Sequence, residues 1–337
     1  MNYKLFGHSG LRVSELCMGT MTFGEEWGTG ADKNTSKKIF DRYVGAGGNF
    51  FDTANRYTEG TSEKFLGEFI KQDRERFVVA TKYSLHDREG DLNFCGNSRR
   101  NLMRSVEQSL KRLDTDYIDL LWLHMWDFTA SPEEVMRGLN DLIEQGKVHY
   151  TGISDTPAWV VSRCNTLAEL RGWNRFAGMQ IEYSLIERSG DRDLLPAAEF
   201  FDLAVTPWSP LGAGMLTGKY LDSLEGRLSE KSVKMNDRNL NIARKVKEVA
   251  EDIGASPSQV ALRWLMNRSD RVIPILGART EEQIKDNLGV LNMELGADHD
   301  RKLDEISKID LGFPHEFLER EATNKHLFAG VKDRLKF

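Results

Sequence analysis

Short apolar runs alternate along the chain with longer stretches in which apolar residues recur every three or four positions. Eight runs stand out, at residues 15–19, 49–53, 77–82, 117–124, 148–154, 178–183, 203–209 and 272–277. Their length and makeup predict strands, and the stretches between them predict amphipathic helices. Small polar residues mark the helix starts: Thr35 ahead of Ile39, Phe40, Tyr43 and Val44, and Ser98 ahead of Leu102, Val106, Leu110 and Leu113. Ser131-Pro132-Glu133-Glu134 places proline at a first helical position with acids in the first turn. Ser256-Pro257 repeats the device, and Thr156-Pro157 resembles it.

Eight strand–helix units in succession imply parallel strands joined by crossover helices. They predict an α/β fold, a (β/α)8 TIM barrel, rather than an open sheet. No Gly-rich fingerprint follows the first run, as a doubly wound dinucleotide domain would need. Ahead of the barrel, residues 3–13 read as a β-hairpin with its turn from Gly7 to Gly10, plugging the barrel floor. A polar insertion at roughly 220–240 and a tail beyond about Gly312 are expected to cover the C-terminal face. No linker or repeat divides the chain, so residues 1–337 are expected to form one domain.

The composition leaves this picture standing. With 40% apolar residues there is enough for one large core, and a formal charge of −6 without a basic stripe argues against nucleic acid. Cys17, Cys95 and Cys164 form no CxxC pair and suggest no disulfide framework. The opening Met1-Asn2-Tyr3-Lys4-Leu5 lacks a signal-peptide core, and the apolar segment 117–123 is too short to cross a bilayer. A cytoplasmic location away from membranes is expected, and the oligomeric state is left open, a homo-oligomer included.

Chemistry enters at the ends of the runs. Asp52 closes the second, Lys82 the third and His124 the fourth. In a barrel these ends converge on one mouth, where barrel enzymes keep their chemistry. Taken singly, a strand-end lysine is an ordinary loop residue, His124 a satisfied polar partner, Asp52 a helix start and Tyr57 a packing aromatic. Together they form a set with a purpose. A buried Lys82 needs a counter-charge, which Asp52 supplies. A cation beside the Tyr57 phenol is expected to pull its pKa below the usual value of about 10. Such a tyrosine donates a proton to a carbonyl oxygen becoming an alkoxide, and a neutral His124 adds a second hydrogen bond. The hydride must come from elsewhere.

On these residues the sequence resembles the aldo-keto reductases. The likeness rests on Asp52-Thr53-Ala54-Asn55-Arg56-Tyr57, Ala80-Thr81-Lys82, Leu123-His124, Gly152-Ile153-Ser154, Gln180-Ile181-Glu182-Tyr183-Ser184, Pro207-Trp208-Ser209-Pro210-Leu211-Gly212, Leu216-Thr217-Gly218-Lys219 and Ile273-Pro274-Ile275-Leu276-Gly277-Ala278-Arg279. It runs over roughly residues 3–310, and looks nearest to the bacterial and potassium-channel-β-like branch. The resemblance implies an NADPH-dependent reductase, reversible between alcohol and carbonyl, with Tyr57 as general acid, Lys82 and Asp52 as its tuning pair and His124 as orienting donor. It further implies that Thr20, Met21 and Asp52 border the cofactor, that Ser154, Asp155 and Gln180 hold the carboxamide, and that Trp208 stacks on the nicotinamide ring. Ser209, Leu211, Gly218 and Lys219 would line the pyrophosphate channel. Gly277, Arg279, Gln283 and Asn287 would hold the adenosine end, with Arg279 on the 2′-phosphate.

One position departs from the family: Asp155 stands where asparagine is usual. An ionised carboxylate only accepts hydrogen bonds and brings a negative charge near the ring. Phe23, Trp27, Met125, Trp126 and Phe128 are candidates, with Tyr57 and His124, for an aromatic-rich substrate wall around a small carbonyl or alcohol. Two other readings were weighed. A metal-dependent barrel hydrolase needs converging ligands, and the seven histidines show no HxH or HxxxH pair, so no metal is expected. A redox-sensing regulatory subunit that binds NADP(H) but turns over slowly would keep the same quartet; the short N-terminus favours a free-standing enzyme.

Overall fold

The computed structural model describes residues 1–221, 229 and 231–336. Strands β1 (Tyr3–Leu5) and β2 (Arg12–Ser14) form an antiparallel hairpin. Eight parallel strands follow: β3 (Cys17–Gly19), β4 (Phe50–Asp52), β5 (Val78–Tyr83), β6 (Ile118–Leu123), β7 (Val148–Ser154), β8 (Gly178–Glu182), β9 (Ala204–Trp208) and β10 (Ile275–Leu276). Each of the eight apolar runs holds one of them. The sheet order is β10-β3-β4-β5-β6-β7-β8-β9, and a parallel bridge from Val205 to Val272 closes the ring. This is the (β/α)8 barrel.

The last strand is shorter than its run because Pro274 sits inside it and has no N–H to give to a ladder. The run therefore splits its pairing. Val272 faces β9, Ile275 and Leu276 face β3, and the Pro274 carbonyl accepts from Cys17 N at 2.9 Å.

Helices α1 (Lys33–Gly45), α2 (Thr61–Ile70), α3 (Arg99–Leu113), α4 (Pro132–Glu144), α5 (Ala158–Arg171) and α6 (Leu194–Phe200) each carry the chain to the next strand. Two helices, α7 (Asp237–Ile253) and α8 (Pro257–Met266), lie between β9 and β10. Four more follow β10: α9 (Glu281–Leu288), α10 (Ala297–Ser307), α11 (His315–Glu319) and α12 (Glu321–Leu327). Ser98, Ser131 and Ser256 cap their helices, the last through a full capping box with Gln259.

Two start signals misled. Asp32, not Thr35, caps α1, its carboxylate accepting from Thr35 N at 2.7 Å, so the helix begins earlier. Thr156 caps nothing: its hydroxyl donates to Ser154 O at 2.7 Å, and α5 begins after Pro157.

Side-chain alternation along the strands divides the core in two. Inward residues, among them Phe50, Val78, Ala80, Leu120, Trp122, Ala204 and Ile275, fill the barrel. Outward ones, such as Phe51, Val79, Leu121 and Met179, pack beneath the helices. The hairpin closes the floor. Phe6, fully buried at its turn, meets Phe50 and Trp122 edge-on with ring centroids 5.7 and 6.1 Å away. Gly7 is required there, because φ is +58° and a Cβ would lie 2.3 Å from the Ala177 carbonyl oxygen.

Part of the 220–240 insertion, residues 222–228 and 230, lies outside the described residues. Beyond it Lys234 reaches back and forms an ion pair with Glu182 at the end of β8. The tail is held on the β8–α6 connection, where Arg192 Nη2 donates to Asp310 O at 2.9 Å and His315 lies 3.5 Å from Asp193. No helix among the described residues is long and apolar enough to cross a membrane.

Candidate active site

The same alternation that sends Phe50, Ala80 and Trp122 into the barrel sends Asp52, Lys82 and His124 in above them. Ser154, Gln180 and Trp208 follow the same parity on β7, β8 and β9. The upper layer of an apolar barrel is thus polar, with charge held in a low-dielectric wall.

Lys82 is fully buried and its three N–H bonds are all placed. Nζ donates to Asp52 Oδ2, to Thr53 O at 2.8 Å and to Tyr57 Oη at 2.9 Å. The second carboxylate oxygen of Asp52 accepts from Gln180 Nε2 at 3.0 Å. Burial works against the charge on Lys82, but Asp52 and Tyr57 more than offset it, and its pKa lies above the ordinary lysine value.

Tyr57 comes from the loop after β4. Three consecutive left-handed residues, Thr58 (φ 45°), Glu59 (φ 54°) and Gly60 (φ 87°), turn the chain behind it. The turn is pinned by Thr58 Oγ1 on Phe23 O at 2.6 Å and by an Arg56–Glu59 ion pair. Strain of this kind persists where surrounding structure enforces it, commonly at working sites. Because Tyr57 Oη accepts from Lys82, its own proton is free for another acceptor.

The expected downward shift of the Tyr57 pKa is not what the structure gives. Burial raises it, Lys82 pulls it down, and Asp52 adds to the rise, so the net shift is upward. Asp52 cancels much of the field of Lys82, and desolvation decides the sign. At neutral pH Tyr57 is therefore a protonated donor.

His124 follows β6, its backbone N–H donating to Tyr83 O at 3.0 Å and its ring edge-on to Tyr57 with centroids 5.9 Å apart. Burial, then Lys82, holds its pKa well below the usual histidine value, so the imidazole is neutral. Nδ1 is buried without a partner.

The residues singled out for a cofactor fall into four groups. Ser154 has a buried hydroxyl with no partner. Gln180, by contrast, has its NH2 group turned to Asp52, and Asp155 accepts from Trp208 Nε1 at 2.9 Å. Thr20 is fully buried, its hydroxyl spent on Asp52 O and Ser62, while Met21 is half-buried. Ser209, Leu211 and Gly218 flank the turn 212–217, with Lys219 exposed and its ammonium 4.8 Å from the Tyr220 ring centre. At the start of α9, Arg279 N donates to Gln283 Oε1 at 2.8 Å and Asn287 Nδ2 to Gly277 O at 3.2 Å; the Arg279 side chain is exposed.

The aromatic wall is only partly on the surface. Trp27, Met125 and Phe128 are exposed, and Trp27 meets Tyr57 edge-on at 6.3 Å. Phe23 is fully buried against Phe69, and Trp126 is almost so, both within the outer core. Phe23 packs beneath the loop, so it leaves the substrate wall as expected from sequence. Two participants had escaped the sequence reading. One is the Thr53 carbonyl, which nothing in a side-chain pattern could reveal. The other is Glu182, two residues beyond Gln180 on the same face of β8, where period-two spacing was signal enough. Among the described residues no group of three or more His, Cys, Asp or Glu is placed to hold a metal ion.

The aldo/keto reductase family model matches residues 15–308. Norsolorinic acid reductase of Aspergillus flavus is 37% identical over 332 residues, covering 96% of this chain and 85% of its own. An aryl-alcohol dehydrogenase [NADP(+)] of Phanerodontia chrysosporium is 38% identical over 335 residues, covering 91% and 86%. These relatives are fungal, and the bacterial and channel-β-like placement is not supported. It rested on Trp208-Ser209-Pro210-Leu211 and Gly218-Lys219, which build the mouth itself and so do not separate branches that share its chemistry. With the family model spanning the barrel and relatives aligned over most of their length, the chain belongs to the aldo/keto reductase family.

Proposed function

We propose that the protein interconverts aromatic carbonyl compounds and their alcohols with NADP(H), Tyr57 acting as the general acid in reduction. The observation that carries this is the Lys82 contact to Tyr57 Oη at 2.9 Å, which leaves the phenol proton free for a second acceptor. The unpartnered Ser154 hydroxyl suits a carboxamide, and the exposed Arg279 at the start of α9 suits a phosphate, so the residues fit the cofactor. NADPH when bound supplies the hydride. Ser154, Gln180 and Asp155 would hold its carboxamide side, and Trp208 would offer its indole to the ring. Met21 borders it, with Thr20 contributing backbone. Ser209, Leu211, Gly218 and Lys219 hold the pyrophosphate, and Gly277, Arg279, Gln283 and Asn287 the adenosine end.

The protein groups do the rest. Tyr57 gives its proton to the carbonyl oxygen as that oxygen gains charge, and Lys82 stabilises the phenolate left behind. The neutral His124 gives its ring N–H to the same oxygen, and the two donors sit side by side with ring centroids 5.9 Å apart. Trp27, Met125 and Phe128 offer rings and a thioether to an aromatic substrate, in keeping with the aryl alcohol named for one relative. The three free cysteines accord with a reducing, cytoplasmic setting. A panel of aryl aldehydes, aliphatic aldehydes and polycyclic ketones tests the substrate class; equal kcat/KM for aryl and aliphatic aldehydes would remove the aromatic assignment.

Two predictions arise here. Arg279→Ala raises KM for NADPH by roughly 10- to 100-fold, the value of one charge-assisted phosphate contact, and leaves KM for NADH nearly unchanged. Equal effects on the two cofactors would refute the 2′-phosphate role. The second concerns pH. Reduction uses protonated Tyr57, whose pKa is raised, and neutral His124, whose pKa is depressed, so its rate is flat between about pH 6 and 8. Alcohol oxidation needs the phenolate, so it rises about tenfold per pH unit below the tyrosine pKa. A reduction rate that falls through pH 6.5 with a histidine-like step, at about that value, would contradict the neutral assignment of His124.

A further inference from the structure

We infer that Asp155 biases the site towards the oxidised cofactor, by setting an unpaired carboxylate beside the indole on which the nicotinamide rests. The inference rests on the placement of the ring against Trp208 proposed above.

Asp155 directly follows β7 and takes the left-handed conformation, φ 40°. Aspartate and asparagine tolerate that geometry better than other residues with a side chain. The turn is fastened on both sides: Asp155 N donates to Gln180 O at 3.3 Å, and Thr156 Oγ1 to Ser154 O at 2.7 Å. So held, the side chain crosses to β9, where its Oδ1 accepts from Trp208 Nε1 at 2.9 Å. The indole is thereby fixed in orientation by a charged acceptor.

Two lysines close to the mouth are each paired with a carboxylate. Lys82 is matched by Asp52, and Lys234 by Glu182. Asp155 is half-buried, and among the described residues no cation lies within ion-pair distance of it. Its one hydrogen-bond partner is a neutral N–H. Burial pushes its pKa up, against the pull of the indole bond and of Lys82, with Glu182 adding to the rise. In the ionised form it leaves a negative charge that no cation among the described residues pairs directly, Lys82 acting on it only at longer range and being itself matched by Asp52. The nicotinamide ring is cationic when oxidised and neutral when reduced, so such a charge stabilises the first over the second. Relative stabilisation of the oxidised form also strengthens hydride donation from the reduced one to a bound carbonyl.

Two variants separate charge from orientation. Asp155→Asn keeps the acceptor and the tolerance of positive φ, and removes the charge. Trp208→Phe keeps an aromatic face and the carboxylate, and removes the hydrogen bond. Calorimetric titration of each protein with NADP+ and with NADPH at about pH 8, above the carboxylate range, gives the ratio Kd(NADP+)/Kd(NADPH). Asp155→Asn raises that ratio about tenfold, equivalent to about 1.4 kcal/mol. Trp208→Phe weakens both forms alike and leaves the ratio within about twofold of wild type. A ratio unchanged in Asp155→Asn would overturn the inference, whether or not overall affinity falls. So would an equal shift in Trp208→Phe, which would assign the effect to the indole. If wild type bound neither form, the cofactor reading itself would fail; binding with an unmoved ratio would fail the inference alone.

Discussion

Replacing Tyr57 with phenylalanine lowers kcat for carbonyl reduction by about 10²- to 10⁴-fold, the range contributed by a placed general acid. The reason is that one oxygen is removed from the contact that organises the site. Tyr57 Oη accepts from Lys82 Nζ, and in the proposed mechanism its proton is the one that neutralises the new alkoxide. The phenyl ring remains, still edge-on to His124 and Trp27, so the shape of the mouth is kept. Cofactor affinity therefore stays nearly unchanged, and the loss appears in kcat. His124 still offers its hydrogen bond, which sets the residual rate. Near-wild-type reduction by Tyr57→Phe would show that another group supplies the proton.

Replacing Lys82 with methionine is the second large change, and it acts on stability as well as rate. Lys82 is fully exchanged from water into protein: none of its surface is exposed, and Asp52 is only 2% exposed. Removing the cation leaves a buried carboxylate whose remaining partner is the Gln180 amide. Breaking a buried pair in this way costs about 3–5 kcal/mol. Thermal unfolding measures that cost. The double variant Lys82→Met with Asp52→Asn discards both charges and recovers much of the stability, because no orphaned charge remains. It does not recover activity, since Tyr57 has lost the cation that stabilises its phenolate. Recovery of activity together with stability would mean that the pair serves folding alone.

The fold was legible because barrel physics writes itself into the pattern. Eight apolar runs, most of them ending in a polar or aromatic residue and separated by stretches of helical period, leave little else for the chain to build. The placement of three of the four candidate residues was legible for the same reason: Asp52, Lys82 and His124 stand at strand ends, and parity alone turns them into the mouth. What the pattern could not carry was burial. The sequence shows a cation next to a phenol, but the sign of the Tyr57 shift depends on desolvation, and desolvation belongs to the folded molecule. Phe23 looked like a wall residue because it lies in a mouth loop; only packing against Phe69 shows which way it faces. The Asp155–Trp208 bond joins the residue after β7 to the end of β9, and neither residue announces the other. Helix starts shifted where a second capping residue, Asp32, stood a few positions upstream of the expected one.

The central claim is that this mouth reduces carbonyl compounds at the expense of NADPH. Loss of NADPH absorbance is followed at neutral pH with an aryl aldehyde, alongside a matched reaction with NADH. Steady consumption of NADPH with stoichiometric formation of the aryl alcohol, and much slower consumption of NADH, is the result expected of the proposed function. Tight binding of NADPH with no alcohol formed would contradict it, and would leave the same residues serving a cofactor-sensing protein instead.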